Sequence, residues 1–132
     1  MHHNMSPTIG LLDGKPFCAV GLPGGTKIIT VTAQLLVNLI DFGCSATQTV
    51  HAPRVHAEAG EGEPICVSGS LPEPIVSELR AMGHEVARGQ SIGGPPNEVA
   101  GPANAVLLRP GAGKVDAASS AGPDAARIIQ SS

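Results

Sequence analysis

A chain of 132 residues with 17 Gly, 12 Pro, two Phe and neither Trp nor Tyr must build its core from Val, Ile, Leu and Ala, which bury less area each than aromatics do. The net charge is −3 and the eight Lys and Arg are scattered, so no basic face for nucleic acid is written into the sequence. Asn38 and Asp41 interrupt the best apolar run short of the ~20 residues a bilayer span needs, and Met1-His2-His3-Asn4 lacks the charged start and apolar stretch of a secretory signal.

The length fits one domain, residues 1–132, or a piece of one. Thr8-Ile9-Gly10-Leu11-Leu12 and Pro16-Phe17-Cys18-Ala19-Val20 flank Asp13-Gly14-Lys15, and Asp-Gly between two apolar runs predicts an antiparallel hairpin. Its unbroken apolarity predicts that both faces are covered. A glycine-rich turn follows, Gly21-Leu22-Pro23-Gly24-Gly25-Thr26-Lys27. It feeds a helix over Thr26 to Phe42, with Thr26 as N-cap and Gly43 as the left-handed stop. Thr30, Gln34, Asn38 and Asp41 form one narrow polar stripe on an otherwise apolar cylinder, which predicts a buried helix.

Ser45-Ala46-Thr47-Gln48 has the capping-box pattern and predicts a short helix to His51, ending before Pro53. Short strands are expected over Val55 to Ala59 and Pro64 to Ser68, around Gly60-Glu61-Gly62-Glu63. Pro72 to Met82 reads as a third helix, with prolines confined to its first turn and Gly83 at its end. His84 to Ala87 reads as a strand and residues 89–102 as a loop rich in Gly and Pro. Ala103 to Leu108 and Lys114 to Ser119 read as a second hairpin. Hairpins mixed with about three helices give an α+β fold.

The glycine turn is where backbone rather than side chain does the chemistry. A turn of this kind entering a helix leaves amide N–H groups unpaired, a site for an anion or for a carbonyl oxygen that becomes negative during reaction. A phosphate-loop pattern fails at two positions: Thr26 stands where glycine belongs, and Ile28 follows Lys27 where a hydroxyl residue belongs. A tight connection that merely needs glycine is the plain alternative.

His51 and His56 straddle Pro53, so no His pair shares a helical face, and no metal or other cofactor is implied. Cys18, Cys44 and Cys66 are odd in number and unpatterned in spacing. They read as small buried hydrophobes in a reducing compartment, which favours the cytoplasm. Glu61 and Glu63 share a turn and read as solvated. The residues therefore offer an oxyanion-type donor site and no nucleophile.

Five ordered blocks carry a family likeness: Met5-Ser6-Pro7-Thr8-Ile9, Asp13-Gly14-Lys15, Pro23-Gly24-Gly25-Thr26-Lys27-Ile28-Ile29, Asn38-Leu39-Ile40-Asp41-Phe42-Gly43 and Ala52-Pro53-Arg54-Val55-His56. In order and spacing they resemble the C-terminal part of the small subunit of the γ-glutamyltranspeptidase (γ-glutamyltransferase) family, over roughly residues 3–120.

The resemblance implies an N-terminal-nucleophile hydrolase with a four-layer αββα fold, of which this chain would be a single incomplete domain, a partial sandwich. It implies amide cleavage through an acyl-enzyme formed on a threonine, with the acyl group passed to water or to an amino acceptor. Gly24 and Gly25 match the paired glycines whose amides form the family's oxyanion hole. His3 and Asn4 stand where the family has two serines that hold the substrate α-carboxylate. Both can donate hydrogen bonds but differ from serine in size and charge, which keeps related acylases and amidohydrolases in view.

The implied partners are a small amide substrate, γ-glutamyl compounds such as glutathione among them, and a missing upstream segment or large subunit carrying the threonine. Neither nucleic acid nor membrane is implied. Arg54 and Asp41 are expected to be structural. Two other readings stay open, a non-catalytic binding module and an inactive truncated product.

Overall fold

The structure, a computed structural model, describes residues 5–58, 60, 62–89, 98–109 and 113–121. In chain order its elements are β1 (Thr8–Leu12), β2 (Lys15–Gly21), α1 (Lys27–Ile40), α2 (Ala46–His51), β3 (Val55–His56), β4 (Ile65–Val67), α3 (Glu73–Ala81), β5 (Val86–Arg88), β6 (Asn104–Leu108) and β7 (Val115–Ser119). Asp13 and Gly14 take φ of 51° and 74°, the paired left-handed conformation of a two-residue hairpin. The Ser45 capping box forms in full, with Gln48 N donating to Ser45 Oγ at 3.1 Å and Ser45 N donating to Gln48 Oε1 at 2.9 Å. Gly43, at φ 62°, turns the chain between the two helices.

A four-stranded antiparallel sheet runs in the order β1-β2-β6-β7. Cys18, Val20, Ala105, Leu107 and Ala118 project from one face and meet Val31, Leu35 and Leu39 of α1 and Ala46 and Val50 of α2 in the main core. The predicted second hairpin is present as β6 and β7; the tip of its turn, residues 110–112, lies outside the described residues.

The second sheet has the order β3-β4-β5, and here the structure departs from paired hairpins. β4 and β5 are parallel, Cys66 lying opposite Ala87, and α3 makes the crossover that a parallel pair requires. Val67, Leu71 and Val76 form a small second core beneath it.

Burial corrects the expectation that α1 is enclosed. Its polar stripe is half-buried from Thr30 to Asn38 and exposed at Asp41: the Gln34 side-chain amide donates to Val55 O at 2.7 Å and accepts from Val55 N at 2.9 Å, so it covers the open edge of β3 as a neighbouring strand would. Its apolar residues Ile29 and Ile40 face out, 60% and 58% exposed. The first hairpin is likewise covered on one face. Ile9, Ala19, Val106 and Ala117 lie in one row across the other face. Ile9 is 73% exposed, and a shallow apolar hollow of about 320 Å³ opens between Pro7, Ile9, Ala19, Gly21, Asn104 and Val106.

Arg54 joins the parts. Only 2% exposed, it donates from Nη2 to Val50 O at 2.8 Å, the end of α2, and to Ser120 Oγ at 3.2 Å. From Nη1 it donates to Val99 O at 3.3 Å and Gly101 O at 3.0 Å. Burial pushes its guanidinium below the usual arginine value, and Glu98 pulls the other way. The segment around Val99, Ala100 and Gly101, expected as open loop, is thereby buried. As expected for Arg54, the role is structural.

Arg54→Met keeps the stem but leaves three buried carbonyls without their donor. It is expected to cost about 3–5 kcal/mol of unfolding free energy in urea melts, and Arg54→Lys, with charge but no fork, to recover less than half. A Met variant within roughly 1 kcal/mol of the parent would show that these bonds do not hold the fold.

Candidate functional site

The glycine turn enters α1 through two tight backbone bonds, Lys27 N to Gly24 O at 3.2 Å and Ile28 N to Gly25 O at 3.3 Å. Its near end is fixed by Gly101 N donating to Pro23 O at 2.8 Å. Among the described residues, the amide N–H groups of Gly24 and Gly25 enter no hydrogen bond. They sit where the positive end of the α1 dipole lies.

The two glycines are required for different reasons. A Cβ on Gly24 would stand 2.6 Å from Ala100 Cβ, and one on Gly101 would stand 2.6 Å from Pro23 Cγ, so the turn and the 99–101 segment interlock backbone to backbone. A Cβ on Gly25 would meet nothing within 4 Å, but φ there is 61°. That left-handed value disfavours any L side chain.

Thr26 occupies the N-cap position without capping. Its φ and ψ, −62° and −27°, are already helical, and its hydroxyl donates to Glu58 instead. Glu58 Oε1 also lies 3.1 Å from His56 Nε2, off the axis of a well-aligned hydrogen bond. On its other side the buried His56 ring meets Thr30 through Nδ1 at 2.7 Å. The Thr26 hydroxyl, then His56, hold the Glu58 carboxyl below the usual carboxylate range.

A family model described as Gamma-glutamyltranspeptidase matches residues 1–121. The chain belongs to the gamma-glutamyltranspeptidase family.

The glutathione hydrolase proenzyme of Escherichia coli (strain K12) is 36% identical over 99 residues, which is 75% of this chain and 17% of that protein. The acylase ACY 1 proenzyme of Pseudomonas sp. (strain SE83) is 37% identical over 97 residues, 74% of this chain and 17% of that one. Gamma-glutamyltranspeptidase from Pseudomonas nitroreducens, solved in complex with L-DON, superposes with a TM-score of 0.78 at 27% identity, over 98% of this chain and 64% of that chain. The chain thus spans 17% of the length of these curated relatives.

The family fold agrees with the observed architecture. One sheet with two helices on a single face and its other face open is part of an αββα sandwich of the N-terminal-nucleophile hydrolase type. In this chain, Gly24 and Gly25 are placed as described above, whereas His3 and Asn4 lie outside the described residues. The hollow on the open sheet face reaches Gly21 at the start of the turn but not Gly24 or Gly25.

Sequence reasoning passed over Glu58 and weighed His56 as a metal ligand. The signal that could have found the pair was their spacing: residues two apart on extended chain share a face. Among the described residues no three His, Cys, Asp or Glu side chains gather as a metal site.

Gly24→Ala is expected to destabilise the chain by about 1–3 kcal/mol through contact with Ala100, and Gly25→Ala by about 1–2 kcal/mol through backbone strain. In a double-mutant cycle followed by urea denaturation, Ala100→Gly restores most of the first loss and none of the second. Equal restoration of both would overturn the contact.

Proposed function

We propose that this chain supplies the oxyanion-stabilising turn of an amide-cleaving enzyme of the gamma-glutamyltranspeptidase family. The reaction runs through an acyl-enzyme whose acyl group passes to water or to an amino acceptor. A carbonyl under attack moves negative charge onto its oxygen, and two amide donors fixed in place stabilise that charge without having to reorganise. The observation that carries the reading is that the Gly24 and Gly25 amides make no hydrogen bond among the described residues while the backbone around them is bonded on both sides.

The nucleophilic threonine and the grip on the substrate amine then belong to polypeptide that the relatives carry outside the matched region. The apolar row of Ile9, Ala19, Val106 and Ala117 gives that polypeptide a surface to pack on. The substrate is a small amide. One relative is named a glutathione hydrolase and another an acylase, which brackets the class between γ-glutamyl compounds such as glutathione and other acyl amides. His3 and Asn4, in place of two hydroxyls, would contact the acyl group and bias that choice.

The test joins this chain to the region of the Escherichia coli relative that precedes the matched segment, and assays release of the aniline from γ-glutamyl and other acyl anilides. Gly25→Val in the joined protein is expected to lower turnover by roughly 10²–10³ while the protein remains folded. Unchanged turnover would remove the oxyanion assignment.

A further inference from the structure

We infer that Thr26, Glu58 and His56 are positioning residues that set the angle at which the glycine turn presents its amides. The inference rests on the proposed function for its link to turnover, and on geometry for everything else. The turn is held at its near end by Gly101 N on Pro23 O. At its far end the ordinary fastening is missing: the N-cap of α1 makes no side-chain cap bond and the first turn of the helix carries no acidic residue.

A carboxylate from another element takes that place. Glu58 follows β3 and accepts the Thr26 hydroxyl beside the α1 N-terminus, where its negative charge also suits the helix dipole. Glu58 is itself set by His56, whose side chain is 3% exposed, and His56 is set by Thr30. Thr26 and Thr30 are four residues apart, on one face of the helix. The chain of contacts therefore closes on itself, from Thr26 through Glu58 and His56 back to Thr30, and fastens the first turn of α1 to the end of β3.

The bonds from Lys27 and Ile28 back to Gly24 and Gly25 define the bend. The Thr26 to Glu58 contact adds a tie between the residue that follows the two glycines and a separate element of the fold. Small misplacements of a donor matter because stabilisation of a developing charge depends on aim.

Two measurements test the inference. In this chain, hydrogen exchange of the Lys27 and Ile28 amides, which close the bend onto Gly24 and Gly25, is expected to quicken at least tenfold in Glu58→Ala and Thr26→Val, with β6 unchanged. No change in those amides would overturn the fastening whatever the turn does chemically.

In the joined enzyme, Thr26→Val is expected to lower kcat roughly 10–100-fold with KM within about twofold, and Thr26→Ser, which keeps the hydroxyl, to restore it. If Gly25→Val abolishes turnover while Thr26→Val leaves kcat intact, the positioning role fails and the oxyanion reading stands. If neither variant affects turnover, the oxyanion reading fails, and faster exchange in the isolated chain would leave the fastening as a structural fact only. A loss in Thr26→Val that Thr26→Ser does not restore would also overturn the role.

Discussion

A buried guanidinium is the constraint on which the structure turns. Taking the Arg54 charge out of water is costly, and an apolar cavity could not hold it. The chain answers with carbonyls of Val50, Val99 and Gly101 and the hydroxyl of Ser120, drawn from a helix end, the 99–101 segment and the end of a strand. The Arg54 backbone is engaged as well: Arg54 N donates to Ser68 Oγ at 3.0 Å, and Ser68 Oγ donates to Glu98 Oε2 at 3.0 Å. The carbonyls of Val50, Val99 and Gly101 would lose this donor without the arginine, so the segments that carry them are tied to one another through it. A core with no Trp or Tyr gains specificity from this polar hub that its aliphatic area would not provide.

From the hub the effect reaches the glycine turn in two steps. Arg54 fixes the Gly101 carbonyl, and the amide of the same Gly101 fixes Pro23. Ala100, held at φ 69° between these bonds, presses its methyl where Gly24 has none. A non-glycine residue at that φ is strained, and the surrounding contacts must outweigh the strain. The bend is thereby placed from below by the 99–101 segment and from the side by Glu58, while its own amides are left over.

What the sequence made legible was local. Asp13-Gly14, the Ser45 box and Gly43 each specify their conformation within four residues, and the structure has all three. So too with Gly25, whose need for glycine is a property of the backbone at that position; at Gly24 the need comes from Ala100, far along the chain. What escaped depended on partners far along the chain. The four polar residues of α1 read as one narrow stripe on a buried helix, with nothing local to show that Gln34 is spent on the edge of β3, a contact across 21 residues. Residues 99–101 sit in a stretch of loop composition and are buried because Arg54, 47 positions away in the chain, donates to the Gly101 carbonyl. Thr26 had the composition of a cap, and its diversion to Glu58 depends on a residue 32 positions on. The parallel pairing of β4 and β5 was hidden for the same reason, since short apolar strands carry no mark of their direction.

The distribution of satisfied and unsatisfied surface separates what the chain does for itself from what it leaves open. Its polar bonds converge inward on Arg54 and on the fastening of the turn. Its apolar residues are oversupplied outward, at Ile9 and Leu11 on the first hairpin, 73% and 63% exposed, and at Ile29 and Ile40 on α1. A solitary domain gains nothing from that exposure, and a contiguous apolar sheet face is a packing surface by its chemistry. Rigid donors need a rigid frame but not a complete one. Bonds internal to the chain set the geometry of the turn, and under the proposed function the packing surface brings in the groups on which that geometry acts.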